Sequence, residues 1–160
     1  MGSRCRVAYS DAEGHFANST HVNEDMEKLF ILIALNCVLR NGDAHLKNFA
    51  IVYDEVQGEA RLAPVYDLVT TSVYLAKDSL ALTLNGSTGW PTAKELRKLG
   101  ETRAGGTPAK IRQILERIAE AIQETTAEVQ SYRNEHPEFA EIGQRMLQEW
   151  ESGVSSSLRG

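Results

Sequence analysis

The sequence predicts a mainly α domain carrying one small β-hairpin. Three features predict it: a long, almost wholly apolar helix pattern beginning at Asn23, two β-prone runs separated by a Gly-bearing turn, and two apolar stripes at helical spacing after residue 90. At 160 residues the chain suits one domain, and 42% hydrophobic with 24% charged residues supports a real core. Residues 23–152 are expected to form that domain. Residues 1–22 are polar and rich in turn formers (Ser10, Asp11, Gly14, Asn18, Ser19), so they read as a loop or the remnant of a larger structure.

Asn23 can cap the first helix, and Glu24 and Asp25 suit its positive end. Met26, Leu29, Phe30, Ile33, Leu35, Cys37 and Val38 follow; because Phe30 to Leu35 is apolar nearly all round, this helix should be central and buried on several sides. It stops at the turn pair Asn41-Gly42. Phe49 to Tyr53 and Arg61 to Tyr66 read as strands joined by the turn Asp54 to Gly58. Ser79 to Leu84 is a further short β-prone run.

The remainder is helical. Thr92 and Glu95 have capping-box spacing before a short helix ending at Gly100, and Arg103 to Thr107 is a glycine-bearing linker. Thr107-Pro108 is a cap followed by proline at the first helical position. Ile111, Ile114, Leu115, Ile118, Ile122 and Val129 form one stripe; Phe139, Ile142, Met146 and Trp150 form another after His136-Pro137. Both are assigned to the core. The Ser-rich end, residues 153–160, is expected to be a disordered tail.

A formal net charge of -5 and a pI near 5.4 argue against a dominant nucleic-acid surface, which needs clustered Lys and Arg. Cys5 and Cys37 lack metal-ligand or redox spacing, and Cys37 is expected to be a buried reduced thiol. A cytoplasmic location fits best. The longest apolar stretch, Leu29 to Leu39, falls short of the roughly 20 residues a membrane helix needs, so no membrane contact is expected.

Chemistry concentrates in Asn41-Gly-Asp-Ala-His-Leu-Lys-Asn48, which packs two amides, a carboxylate, an imidazole and an ammonium into a loop between a buried helix and a hairpin. Asp43 and Asn48 have the D-x-x-x-x-N spacing of a protein-kinase catalytic loop, in which Asp orients the attacking hydroxyl and Asn binds Mg²⁺. A hairpin returns the chain to its starting end, so Asp67 can approach Asn48 across the intervening residues. One carboxylate and one amide oxygen, completed by phosphate oxygens and water, suit octahedral Mg²⁺. Taken singly, each of these residues could merely cap a loop.

Asn41-Gly-Asp-Ala-His-Leu-Lys-Asn-Phe49 together with Leu62-Ala-Pro-Val-Tyr-Asp-Leu68 resembles the paired signatures of HipA-like serine/threonine kinases, the bacterial persistence-toxin family. The resemblance covers roughly Asn23 to Trp150 and implies a protein-kinase-like C-terminal lobe, mostly helical. It implies that Asp43 is the catalytic acid-base or hydroxyl-orienting residue, that Asn48 and Asp67 bind Mg²⁺, and that Tyr66 lies beside the nucleotide. His45 and Lys47 belong to the same loop; Lys47 could neutralise phosphate charge, as positioned cations do. His45 could equally brace the loop, and Lys47 could be a solvated surface charge.

A complete kinase also needs a phosphate-covering loop and a strand lysine, and neither stands before Asn23. The expectation is therefore that the N-terminal, ATP-gripping lobe is absent, that Mg²⁺ and ATP bind weakly or not at all to this chain alone, and that another chain supplies that lobe. The other expected partners are an antitoxin-like DNA-binding protein and a protein substrate, with no direct contact to nucleic acid. Two alternatives stand beside this reading. One is a non-catalytic interaction module that binds an antitoxin-like partner. The other is a metallohydrolase built on Gly42-Asp43-Ala44-His45, which would need further His and Asp ligands.

Overall fold

The computed structural model describes residues 21–52, 60–75 and 77–159. Helix α1 spans Val22–Val38 and buries Leu29, Phe30, Leu32, Ile33, Ala34, Cys37 and Val38. Each of its large apolar side chains contributes about 1.5–3 kcal/mol on burial. The helix opens at His21, whose carbonyl accepts from the Asp25 amide at 3.0 Å, so Asn23 lies inside the first turn and is not the cap. Asp25, anticipated as a dipole partner, is fully buried, and its Oδ2 accepts from the Leu62 amide at 3.1 Å. The acidic first turn thereby anchors the hairpin to the central helix.

Strands β1 (Ile51–Val52) and β2 (Arg61–Leu62) pair antiparallel, Ile51 opposite Leu62 and Val52 opposite Arg61. They are shorter than their β-prone runs. Phe49 closes a 3-10 turn, and Pro64 has no amide to extend the ladder beyond Ala63, whose N–H reaches the Ala50 carbonyl at 2.8 Å. Tyr53 and the turn Asp54 to Gly58 lie outside the described residues. The run 79–84 forms no strand: Leu80, Leu82 and Leu84 alternate into the core, and a bridge between Leu84 and Ser87 closes a turn.

Helix α2 (Ala93–Thr102) starts at the expected capping box, with Thr92 N donating to Glu95 Oε2 at 2.8 Å and Glu95 N to Thr92 Oγ1 at 3.3 Å. It runs through Gly100 and ends at Thr102. Helix α3 (Pro108–Glu135) buries its stripe from Ile111 to Ile122, and helix α4 (Ala140–Val154) buries Leu147 and Trp150. Helices α2, α3 and α4 all pack on α1, which is the centre of one core. Among the described residues no helix is long and apolar enough to cross a membrane.

The expected disordered tail is not observed over residues 153–159. Helix α4 continues into a π turn, Ser155–Arg159, with Ser157 and Leu158 buried and Ser157 Oγ donating to the Pro91 carbonyl at 2.7 Å. Serine-rich composition suggested disorder, but Leu158 reaches the core and supplies the burial that orders its neighbours.

Cys37 is fully buried, and desolvation pushes its thiol up to about 12. In a Cys5→Ser background the native protein is expected to take up no iodoacetamide at mildly alkaline pH, and one equivalent once denatured; rapid labelling of the native form would contradict this burial.

Candidate functional site

Where α1 ends, Leu39 is still helical and Arg40 turns left-handed, with φ 57°. That reversal directs Asn41 back beneath the helix. Asn41 is buried, and its Nδ2 donates to Asn36 Oδ1 at 2.8 Å and to the Asp67 carbonyl at 3.0 Å. Its Oδ1 accepts from the Asp43 amide at 3.1 Å. Asn36 is fixed in turn by donating to the Leu32 carbonyl at 2.9 Å. A chain of amides thus runs from inside α1 to both halves of the site, and this explains the one polar residue in the apolar run.

Asn48 closes the 3-10 turn Leu46–Asn48. Its Oδ1 accepts from the His45 amide at 3.0 Å, and its Nδ2 donates to Asp67 Oδ2 at 2.6 Å. Asp67 has φ 59°, a left-handed conformation that costs a non-glycine residue roughly 1–2 kcal/mol and is cheapest for Asn and Asp. Tyr66 donates its hydroxyl to the Lys47 carbonyl, so the pairs Lys47-Asn48 and Tyr66-Asp67 lie side by side. The Lys47 side chain is exposed. His45 Nε2 lies 2.9 Å from Asp43 Oδ1, with both side chains about half exposed (51% and 53%). Asp43 is linked to the Asn48–Asp67 pair through the Asn41 amide.

Two residues that the sequence did not assign complete the loop. The Gly42 amide donates to Thr71 Oγ1 at 2.7 Å, and the Thr71 hydroxyl rests against the Asp78 carboxylate, which also accepts from the Ser79 amide at 2.9 Å. A Cβ on Gly42 would stand 2.1 Å from Asp78 Oδ1, so any larger residue would push this carboxylate out of its present place. Thr71 stands in the hydroxyl run Thr70-Thr71-Ser72, an ordinary turn pattern, and nothing in the local pattern marks Asp78. Helix α4 holds the same segment: Trp150 Nε1 donates to Thr70 Oγ1 at 2.7 Å, and Arg145 donates to the Val73 carbonyl.

Among the described residues no three His, Cys, Asp or Glu side chains converge as a metal cluster would require. The site offers one carboxylate beside one amide, a donor set that suits a hard cation sharing phosphate oxygens and water. A recess of about 640 Å³ between α3 and α4 lies elsewhere, lined by Gln123, Arg133, Gln144 and Glu151 among others. At the candidate site Asp43, His45, Lys47 and Asp67 are exposed while Asn48 is buried, and close to it in sequence Val52, Val65, Tyr66 and Val69 are exposed.

Residues 7–126 match the HipA-like C-terminal domain family. The chain belongs to this family. The match takes in residues 7–22, which the sequence reading had set apart, and ends within α3. This HipA-like domain is 48% identical over 50 residues to the protein named "Putative kinase Y4mE" of Sinorhizobium fredii (strain NBRC 101917 / NGR234), covering 31% of this chain and 11% of that protein. It also matches HipA in the solved structure of the Shewanella oneidensis MR-1 toxin–antitoxin system HipA, HipB and its operator DNA, with a TM-score of 0.72 and 21% identity over 91% of this chain and 35% of that one. That second likeness is one of fold. The HipA-like chain spans about a third of the solved relative and about a tenth of the curated one.

Proposed function

We propose that this chain is the magnesium-holding, C-terminal lobe of a HipA-like serine/threonine protein kinase, the toxin of a toxin–antitoxin pair. The observation that carries the reading is the 2.6 Å contact between Asn48 Nδ2 and Asp67 Oδ2, which joins the two halves of the paired motif. Asn48 and Asp67 hold Mg²⁺, which when bound offsets charge on the phosphates of ATP. Asp43 orients the attacking hydroxyl of the protein substrate and accepts its proton, with His45 bracing the carboxylate. Exposed Lys47 faces the phosphate charge, and Tyr66 lies beside the nucleotide while its hydroxyl pins the loop backbone. Phosphoryl transfer depends mainly on positioning and electrostatics, so the amide relay through Asn41 and the Thr71–Asp78 clamp set how far Asp43 can stray.

The lobe works as part of a larger assembly in which a further lobe grips ATP. Exposed Val52, Val65, Tyr66 and Val69 suit docking of such a lobe, whether it is carried by another chain or not. The same surface supports a second reading, an interaction module for an antitoxin-like DNA-binding partner. Co-expression with a lobe bearing the phosphate-covering loop and lysine separates the two. The kinase reading expects Mg²⁺-dependent ATP consumption that Asp43→Asn lowers at least about 100-fold with little change in thermal stability. An assembled but ATP-inert complex, alongside stable binding of a DNA-binding partner, would favour the interaction module.

A further inference from the structure

Arg40 is a buried cation that the site chemistry above does not use. Its backbone carbonyl accepts from the Thr71 hydroxyl at 3.2 Å and the Ser72 amide at 3.4 Å, while its side chain points the opposite way, toward the end of α4. Only 5% of the residue is exposed, and its guanidinium carbon stands 5.0 Å from the Trp90 ring centroid. Nη2 donates to two neutral hydroxyls, Ser152 Oγ at 3.3 Å and Ser156 Oγ at 2.8 Å. Nη1 is buried with no hydrogen-bond partner among the described residues. Burial pulls the guanidinium below its usual pKa, an effect that the Glu149 charge only partly offsets. The cation is therefore under-compensated: a fork made to grip an oxyanion with two nitrogens meets uncharged oxygens with one.

Ser152 and Ser156 are one turn apart and exposed. Ser157 is buried, with its hydroxyl committed to Pro91, and Ser156 makes the shorter contact to Arg40. We propose that Ser156 is a phosphorylation site and that Arg40 receives its phosphoryl group. In the modifying step a protein kinase passes the γ-phosphoryl of a nucleoside triphosphate to Ser156 Oγ. The new O–P bond forms as the bond to the diphosphate leaving group breaks, and the hydroxyl proton goes to the kinase's base and then to water. The product puts up to two negative charges and three acceptor oxygens beside Nη2, within reach of the unpartnered Nη1. Repulsion from the negative end of α4 and from Glu149 opposes this. Glu149 is only half-buried and the helix-end charge is partial, whereas Arg40 is buried and carries a full charge, so its pairing is screened less.

Because the Arg40 carbonyl holds Thr71 and Ser72, fixing its guanidinium ties the end of α4 to the segment that follows Asp67. The inference does not depend on the chain's own activity. The test is the full 160-residue chain carrying phosphoserine at 156, installed by genetic-code expansion and compared with the unmodified chain. The thermal midpoint should rise by about 3 °C or more, and most of the gain should vanish with Arg40→Lys, which keeps the charge but not the fork. In source cells, the tryptic peptide from Met146 to Arg159 should carry phosphate on Ser156. A lower midpoint, a gain that survives Arg40→Lys, or no phosphate on that peptide would overturn the assignment. So would inorganic phosphate alone giving the unmodified chain the full shift, which would mark a free-anion site instead.

Discussion

On the proposed kinase reading, Asp67→Ala is expected to abolish Mg²⁺-dependent nucleotide turnover in the reconstituted assembly, a loss of about 10²–10³-fold or more, because it removes the carboxylate of the proposed two-residue donor set. The left-handed backbone at this position makes a second, separable contribution. Alanine in that conformation is costlier than aspartate, so Asp67→Ala should also lower stability by about 1 kcal/mol or more through strain and the lost contact to Asn48. Two further variants divide these effects. Asp67→Asn keeps an acceptor for Asn48 Nδ2 and the tolerance for positive φ, so it should fold like the parent while losing the charge proposed to bind the cation. Asp67→Gly relieves the strain and loses the contact, leaving stability within about 1 kcal/mol of the parent. Turnover retained in Asp67→Asn and Asp67→Gly alike would remove this residue from the proposed metal site.

Gly153→Ala is expected to destabilise the fold more than any surface change, by about 3 kcal/mol or more. A Cβ there would stand 2.0 Å from the Val38 carbonyl oxygen and 2.8 Å from its carbon, so the obstruction is main chain of α1 and cannot rotate away. Relief requires α4 to move off the central helix, which would pull Trp150 from Thr70 and the Ser155–Arg159 turn from the core. A domain of this size loses roughly 2–4 °C of thermal midpoint per kcal/mol, so the drop should be about 6–12 °C, readable by calorimetry or denaturant titration. An unchanged midpoint would show that α4 does not approach α1 this closely.

The helices were legible because their signals are local. The apolar run of α1, the Thr92–Glu95 box, the Thr107-Pro108 start of α3 and its stripe to Ile122 each act within a few residues, and each forms its element. Strand length was less legible, since Pro64 and the 3-10 turn ending at Asn48 cut short runs whose composition favoured β structure. The tail was misread because serine content says nothing about whether a single Leu158 finds a core to enter.

At the site, sequence alone named Asp43, His45, Lys47, Asn48, Tyr66 and Asp67, since two motifs in order across one hairpin imply that their ends meet. Sequence also determined that the domain would be mainly helical with a single hairpin. Tertiary structure alone decided how those residues are held: the left-handed turn at Asp67 that sets its carboxylate on Asn48, the Asn36–Asn41 relay beneath the loop, and the Asp78 carboxylate lying where Gly42 leaves room. It also decided that Arg40 would meet Ser156. The physical reason is range. Periodicity and capping are settled by neighbours along the chain, whereas contacts between residues 42 and 78, or 40 and 156, depend on where packed helices bring distant backbone together, which no local pattern encodes.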